Sequence, residues 1–159
     1  MKRDPNLVPL SRGHYNGLLI AQRLDRALPE ADDATVARLT EEVLSFWEDD
    51  LLPHFHAECE CLLARLLRHL PADHELVTRT QADHVRLHAL MANLRDREET
   101  EPRRQALSAI ASLLREHIRW EEATLFEECQ RLLAAGEMEA IGCELARRLP
   151  RHSLPRQGQ

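Results

Sequence analysis

Pro29, Pro71, a polar run at 96–100 and Gly136 divide this 159-residue chain into segments whose apolar residues recur every three or four positions. That period marks one face of an α-helix, because successive turns bring such residues back to the same side. The spacing predicts a first helix over 11–28, with Leu18, Leu19, Ala21 and Leu24 toward a core and Pro29 stopping it. A second, capped by Asp32 or Asp33, reaches Leu70 and carries Val36, Leu39, Val43, Leu44, Trp47 and Leu51 on its apolar stripe. Pro53 within it predicts a kink or a break. Asp73 is placed to cap a third helix ending near Asp96, and Thr100 with Pro102 just inside starts a fourth that runs to 134–135. A short fifth helix over 137–149 and a loose tail from Pro150 complete the chain. Four long helices with short connections imply antiparallel neighbours. The predicted fold class is therefore all-α: an up-down four-helix bundle over about 11–135 with a short additional C-terminal helix, in a single domain spanning 1–159.

The composition agrees with this and narrows the function. Aromatics are 4% and glycines number five, while Leu, Ala, Arg and Glu dominate, a helical palette. A net charge of −6, with signs alternating along the chain as on solvated helix faces, opposes a nucleic-acid-binding role. No apolar run approaches membrane-spanning length, and residues 1–10 lack the continuous apolar stretch of a signal peptide, so a cytoplasmic protein that does not engage the membrane is expected. Cys59 and Cys61 would point apart on a helix and Cys129 and Cys143 stand alone, which reads as reduced thiols rather than a disulfide framework.

Histidine is the anomaly: there are nine, and several fall on the predicted apolar stripes. The first helix carries His14, the second His54 and Glu58, the third His84 and His88, and the fourth His117 and Glu121. Residues four apart stack on one helix face, so each pair can aim both side chains at one metal or at two adjacent ones. His84 and His88 continue Val77, Gln81 and Met91, while His117 and Glu121 continue Ile110, Leu113, Leu114 and Leu125. An apolar stripe that switches to His and Glu is costly unless a partner or a metal meets them. At 1.5 Å per residue, His54 and Glu58 lie about 24 and 18 Å above the turn between the second and third helices, and His84 and His88 about 17 and 22 Å. The seven groups can therefore share one layer. Five imidazoles and two carboxylates exceed one tetrahedral zinc shell and suit two octahedral ions bridged by carboxylates. The Glu-x-x-His pairs of ferritin-like di-iron bundles do not occur in the sequence.

With His14 in Gly-His-Tyr, His54–Glu58 in His-Phe-His-Ala-Glu, His84–His88 in His-Val-Arg-Leu-His and His117–Glu121 in His-Ile-Arg-Trp-Glu, the chain resembles the hemerythrin-like HHE cation-binding family over roughly 11–133. The resemblance implies two iron ions, one on His84, His88 and His117, the other on His14 and His54, bridged by Glu58 and Glu121. The second iron, one His short, would keep an open position for O2 or a related diatomic such as NO. Phe55, Leu113, Leu114 and Ile118 stand where oxygen-carrying relatives wall that position with apolar side chains. One departure concerns the fourth helix. The oxygen carriers bridge with an Asp five residues after its His; position 122 here is Glu, and Glu121 has the offset of the broader HHE group. The implied function is O2 or NO binding for sensing, delivery or protection. The alternatives are an iron-responsive interaction module without reversible O2 binding, or a di-iron oxidase or peroxidase. Against the last, no dedicated proton-transfer group stands out beyond the ligands, so no catalytic residue is assigned. His56, His69, His74 and His152 read as solvated, and Tyr15 as a surface or packing residue.

Overall fold

The computed structural model describes residues 2–149. Among them the three- to four-residue period is realised as helix, and no strand occurs. Helix α1 spans Val8–Ala27 and gives way to a 3-10 turn, Leu28–Glu30, which contains Pro29. It begins earlier than the sequence period suggests. Asp4 accepts a hydrogen bond from the Asn6 backbone N–H and caps a 3-10 turn, Pro5–Leu7, that runs directly into α1. This early start buries Leu7 and Leu10. Leu19, expected in the core, lies on the outer side of α1 at 39% exposure.

Helix α2 is a continuous helical run through Asp33–Phe46, a π turn at Trp47–Leu51, Leu52–Ala57, a second π turn at Glu58–Leu63, and Ala64–Leu66. Asp32 caps it by accepting from the Thr35 backbone N–H. Pro53 does not break the run. A proline in a regular helix lacks one donor and crowds the carbonyl four residues back. Here the π turn just before it widens the ladder, with the Leu52 N–H reaching back to the Trp47 carbonyl, and accommodates the ring. Helix α3 is Glu75–Asp96, capped by His74 Nδ1 accepting from Leu76 N at 3.2 Å rather than by Asp73. Helix α4 runs through Thr100–Trp120, a π turn at Glu121–Leu125, and Phe126–Leu132. Helix α5 is Ala135–Arg148, with Glu137 Oε2 accepting from Ala134 N. The expected tail from Pro150, with His152, lies outside the described residues.

The π turns have a geometric effect on the buried stripe. In a regular helix, residues four apart drift about 40° around the axis, so a long four-residue repeat walks off its face. On α2, His54, Glu58, Leu62 and Leu66 are four apart and all buried, and on α4 so are His117, Glu121, Leu125 and Cys129. The wider turns that open at Glu58 and Glu121 offset the drift and hold these residues on one side.

Helix α4 packs on α1, α2 and α3, and α3 also packs on α2. Helix α5 lies across the Pro5–Leu7 turn, α1 and the Leu52–Leu63 part of α2. The apolar interior is split in two. One cluster gathers Leu24, Leu39, Trp47, Leu87 and Ile110 and reaches Phe55 and Ile118. The other gathers Leu7, Leu10, Leu66 and Ile141 and reaches Ala57 and Leu125. The polar layer of His and Glu sits at the seam between them. No helix among the described residues is long and apolar enough to cross a membrane.

Candidate metal centre

Six of the seven ligands expected from the sequence converge on this seam, and all are buried: His14 from α1, His54 and Glu58 from α2, His84 from α3, His117 and Glu121 from α4. They form two overlapping groups, His14, His54, Glu58 and Glu121 on one side and Glu58, His84, His117 and Glu121 on the other. Within each group the facing ligand atoms lie within 4.8 Å of one another. Glu58 faces both sides, with Oε1 2.9 Å from His54 Nε2 and Oε2 3.3 Å from His84 Nε2. Glu121 Oε2 lies 3.0 Å from His14 Nε2 and 3.2 Å from His117 Nε2.

Most of these close approaches are not aligned as hydrogen bonds. His14 Nε2, Glu58 Oε2, His84 Nε2, both nitrogens of His117 and both oxygens of Glu121 are buried without a hydrogen-bond partner. Native interiors leave only a few such atoms per hundred residues, and here seven gather in one layer. Donor atoms on adjacent corners of a coordination octahedron of radius ~2.1 Å are about 3.0 Å apart, with lone pairs aimed at the ion rather than at each other. The observed spacings and the unmet lone pairs fit that arrangement, so the donor set suits metal cations held by imidazole and carboxylate.

The structure does not bring His88 into the cluster; it is exposed, with its ring edge-on to Trp47 at 4.6 Å. Helix α3 has no π turn. Its buried positions run Val77, Thr80, His84, Leu87, Met91 and Leu94, so Leu87 takes the inward place while Gln81 and His88 drift outward. Burial lowers the His88 pKa, and the nearby His84 and His56 lower it further. Leu113 likewise stays outside the site, half-buried among Arg79, Asp83, Arg86 and Glu116. The other expected wall residues, Phe55, Leu114 and Ile118, line a cavity with Gly13, His14, His54 and His117. It has room for about one water molecule. Phe55 stacks on His84, with ring centroids 3.8 Å apart.

Three contributors escaped the sequence reading. Glu122, weighed there only as a bridge, points away from the centre and accepts from His14 Nδ1 at 2.7 Å. Asp83, next to His84, is buried and faces His117 Nδ1 at 3.6 Å, while Arg86 donates to its Oδ1 at 3.0 Å. A carboxylate behind a ligand histidine fixes its tautomer and orientation. A buried acid one step from a ligand on the same helix is the signal that could have found Asp83. The third is Gly13: a Cβ there would lie 2.5 Å from His54 Nδ1, so only glycine lets α1 approach the His54 ring this closely.

The electrostatics follow from this packing. Burial alone would lower the His14 pKa, but the close carboxylates of Glu121, Glu122 and Glu58 raise it well above the ordinary imidazole value. Burial would raise Glu58, yet electrostatic attraction to His54 and contacts with His14 and His84 hold it well below the usual carboxylate range. Glu122 is pulled to about 2 against its burial by His14 and Arg3. At His117, burial is outweighed by Glu121 and Asp83, and the pKa rises. The carboxylates demand compensating positive charge, which protonated imidazoles supply in the absence of a cation.

Among known families, residues 17–129 match the hemerythrin HHE cation binding domain. No curated protein and no solved structure gives a match. The matched span covers most of the chain and five of the six converging ligands; His14, three residues ahead of it, is brought in by the packing of α1 on α4. The chain belongs to the hemerythrin HHE cation-binding family.

Proposed function

We propose that this chain is a non-haem di-iron protein, an up-down four-helix bundle with one added helix in a single domain, that binds O2 or NO at an open iron position for sensing, delivery or protection in the cytoplasm. The observation that carries the reading is that Glu58 and Glu121 belong to both donor groups, with lone pairs that no protein atom satisfies. His14 and His54 would hold one ion, His84 and His117 the other, and the two carboxylates would bridge. A pair of irons supplies the reversible electron source that binding a diatomic requires. The chain's own part is to orient and to exclude. Glu122 keeps the His14 proton on Nδ1 so that Nε2 presents its lone pair inward. Phe55, Leu114 and Ile118 restrict water around the ligand space, which slows proton delivery to a bound diatomic.

The even division, two histidines to each group with His88 outside, favours a second reading: an iron-responsive module whose stability, rather than ligand binding, reports metal occupancy. Metal analysis and anaerobic optical titration separate the two. Protein from iron-replete expression should carry two irons per chain, and the reduced form should develop a visible band with O2 or NO that reverses on removal. Irreversible oxidation without a band supports the module. A chain that takes up a single zinc and no iron would end both readings.

A further inference from the structure

His14 is wedged between two consecutive carboxylates of α4. Its Nε2 faces Glu121 at 3.0 Å and its Nδ1 faces Glu122 at 2.7 Å. Glu122 is in turn fastened from outside. Arg3 Nη2 donates to Glu122 Oε2 and to the Glu122 backbone carbonyl, each at 2.7 Å. The same guanidinium lies over the Phe126 ring at 5.0 Å, and Phe126 stacks on the other side against His14, with centroids 5.1 Å apart and planes 13° from parallel. Gln130 anchors the arm that delivers Arg3: its Oε1 accepts from Asp4 N at 2.9 Å and from Arg3 Nη1 at 3.3 Å, and its Nε2 donates to the Lys2 carbonyl at 3.2 Å. Among the inward-facing histidines, His14 alone is thus held by a short hydrogen bond and a stacked ring that both trace to one N-terminal arginine.

We propose that Glu122 is a positioning residue for the metal ligand His14, and that Arg3 makes retention of the ion on the His14–His54 side depend on the N-terminal segment. The proposal rests on the two-metal reading above. Glu122 touches no ion; it acts by fixing which nitrogen of His14 carries the proton and where the ring points. Arg3 acts one step further out, holding the Glu122 carboxylate in place with a charge-assisted pair of hydrogen bonds. Asp83 backs His117 at the longer distance of 3.6 Å and takes its arginine from the same helix. The other ion's retention therefore does not depend on the N-terminus.

The test uses the full chain loaded anaerobically with Fe(II) and challenged with a chromogenic Fe(II) chelator, alongside melting of the metal-free protein. Unmodified protein should carry two irons. Glu122→Gln and Arg3→Ala should release one iron about 10- to 100-fold faster, the other at the unmodified rate, with Arg3→Lys restoring most of the retention. Melting of the metal-free variants reports any general loosening. Unchanged release of both irons from Glu122→Gln and Arg3→Ala would overturn the proposal. So would equal acceleration of both irons with a lowered metal-free melting point, the mark of a merely structural contact. Failure of the unmodified chain to hold two irons would overturn the two-metal reading itself, and would show before any substitution was made.

Discussion

Replacing Gly13 by alanine adds one methyl group where α1 meets the His54 ring. The new Cβ would sit 2.5 Å from His54 Nδ1 and 2.9 Å from Cε1, against 3.4 Å for the start of ordinary contact. Close to an ångström of separation must come from somewhere. The ring cannot retreat freely, since its Nε2 lies 2.9 Å from Glu58 and its centroid 4.8 Å from that of the His14 ring. Overpacking of this kind costs about 1–3 kcal/mol, but alanine in a helix is favoured over glycine by about 1 kcal/mol. The two effects nearly cancel, leaving a net loss of roughly 0–2 kcal/mol, or a Tm lower by several degrees at most. Metal binding has no such compensation, because donor geometry must hold to within about 0.5 Å. Gly13→Ala should therefore melt almost normally without metal yet bind iron on the His14–His54 side at least tenfold more weakly. Calorimetric melting of the metal-free protein and an Fe(II) competition titration check the two halves. Gly17→Ala is the control: its Cβ would meet Ile118 Cδ1 at 2.8 Å, the free end of a side chain that can swing aside, and iron affinity should hold. A Gly13→Ala protein that binds two irons with unmodified affinity would refute the close-approach argument.

Glu58→Ala removes a donor common to both groups, so iron content should fall for both ions, as elemental analysis would show; loss of one ion only would mean Glu58 does not bridge. Each buried polar atom without a partner costs roughly 1–3 kcal/mol, so metal-free protein should melt lower than loaded protein and recover with Fe(II), and coincident melting curves would contradict the unmet lone pairs. Leu114, 1% exposed and on the cavity wall, should cost about 2–5 kcal/mol when cut to alanine and speed air oxidation of the reduced centre without changing iron content, an outcome followed by optical decay against elemental analysis. For pH, Glu122 is held at about 2 in the folded chain, below an unfolded value near 4.3; its stabilisation is thus complete above about pH 4.3 and is lost as pH falls toward 2. Metal-free unfolding midpoints measured across that window should show this loss in the unmodified chain and less of it in Glu122→Gln.

The helical fold class and the layer of His and Glu were legible because both rest on short-range repeats. Helix period and turn residues locate α1 to α5 to within a few positions, and four-residue spacing marks His54–Glu58 and His117–Glu121. His88 was misread because four-residue spacing is only an approximation to 3.6, and nothing in the local sequence says which helices contain π turns. Where α2 and α4 widen, the repeat stays inward; where α3 stays regular, it turns out to solvent. Leu113 failed for the same reason, one step of about 100° from Leu114. Glu122, Asp83, Gly13 and the Arg3 clamp depend on contacts between residues from 34 to 119 positions apart, and the partner in each pairing is not encoded by a local pattern.

The seam between the two apolar clusters bears on how the chain comes apart. Side chains that pack directly share their fate on unfolding, whereas a layer of unmet polar groups transmits little cohesion from one side to the other. The end built on Leu24, Leu39 and Ile110 and the end built on Leu7, Leu66 and Ile141 belong to separate apolar clusters that meet at this layer. Ions bound at the seam would tie all four long helices at one level and couple the two halves into one cooperative unit. Such a centre would then set not only how firmly the chain is folded but whether it unfolds in one step or two.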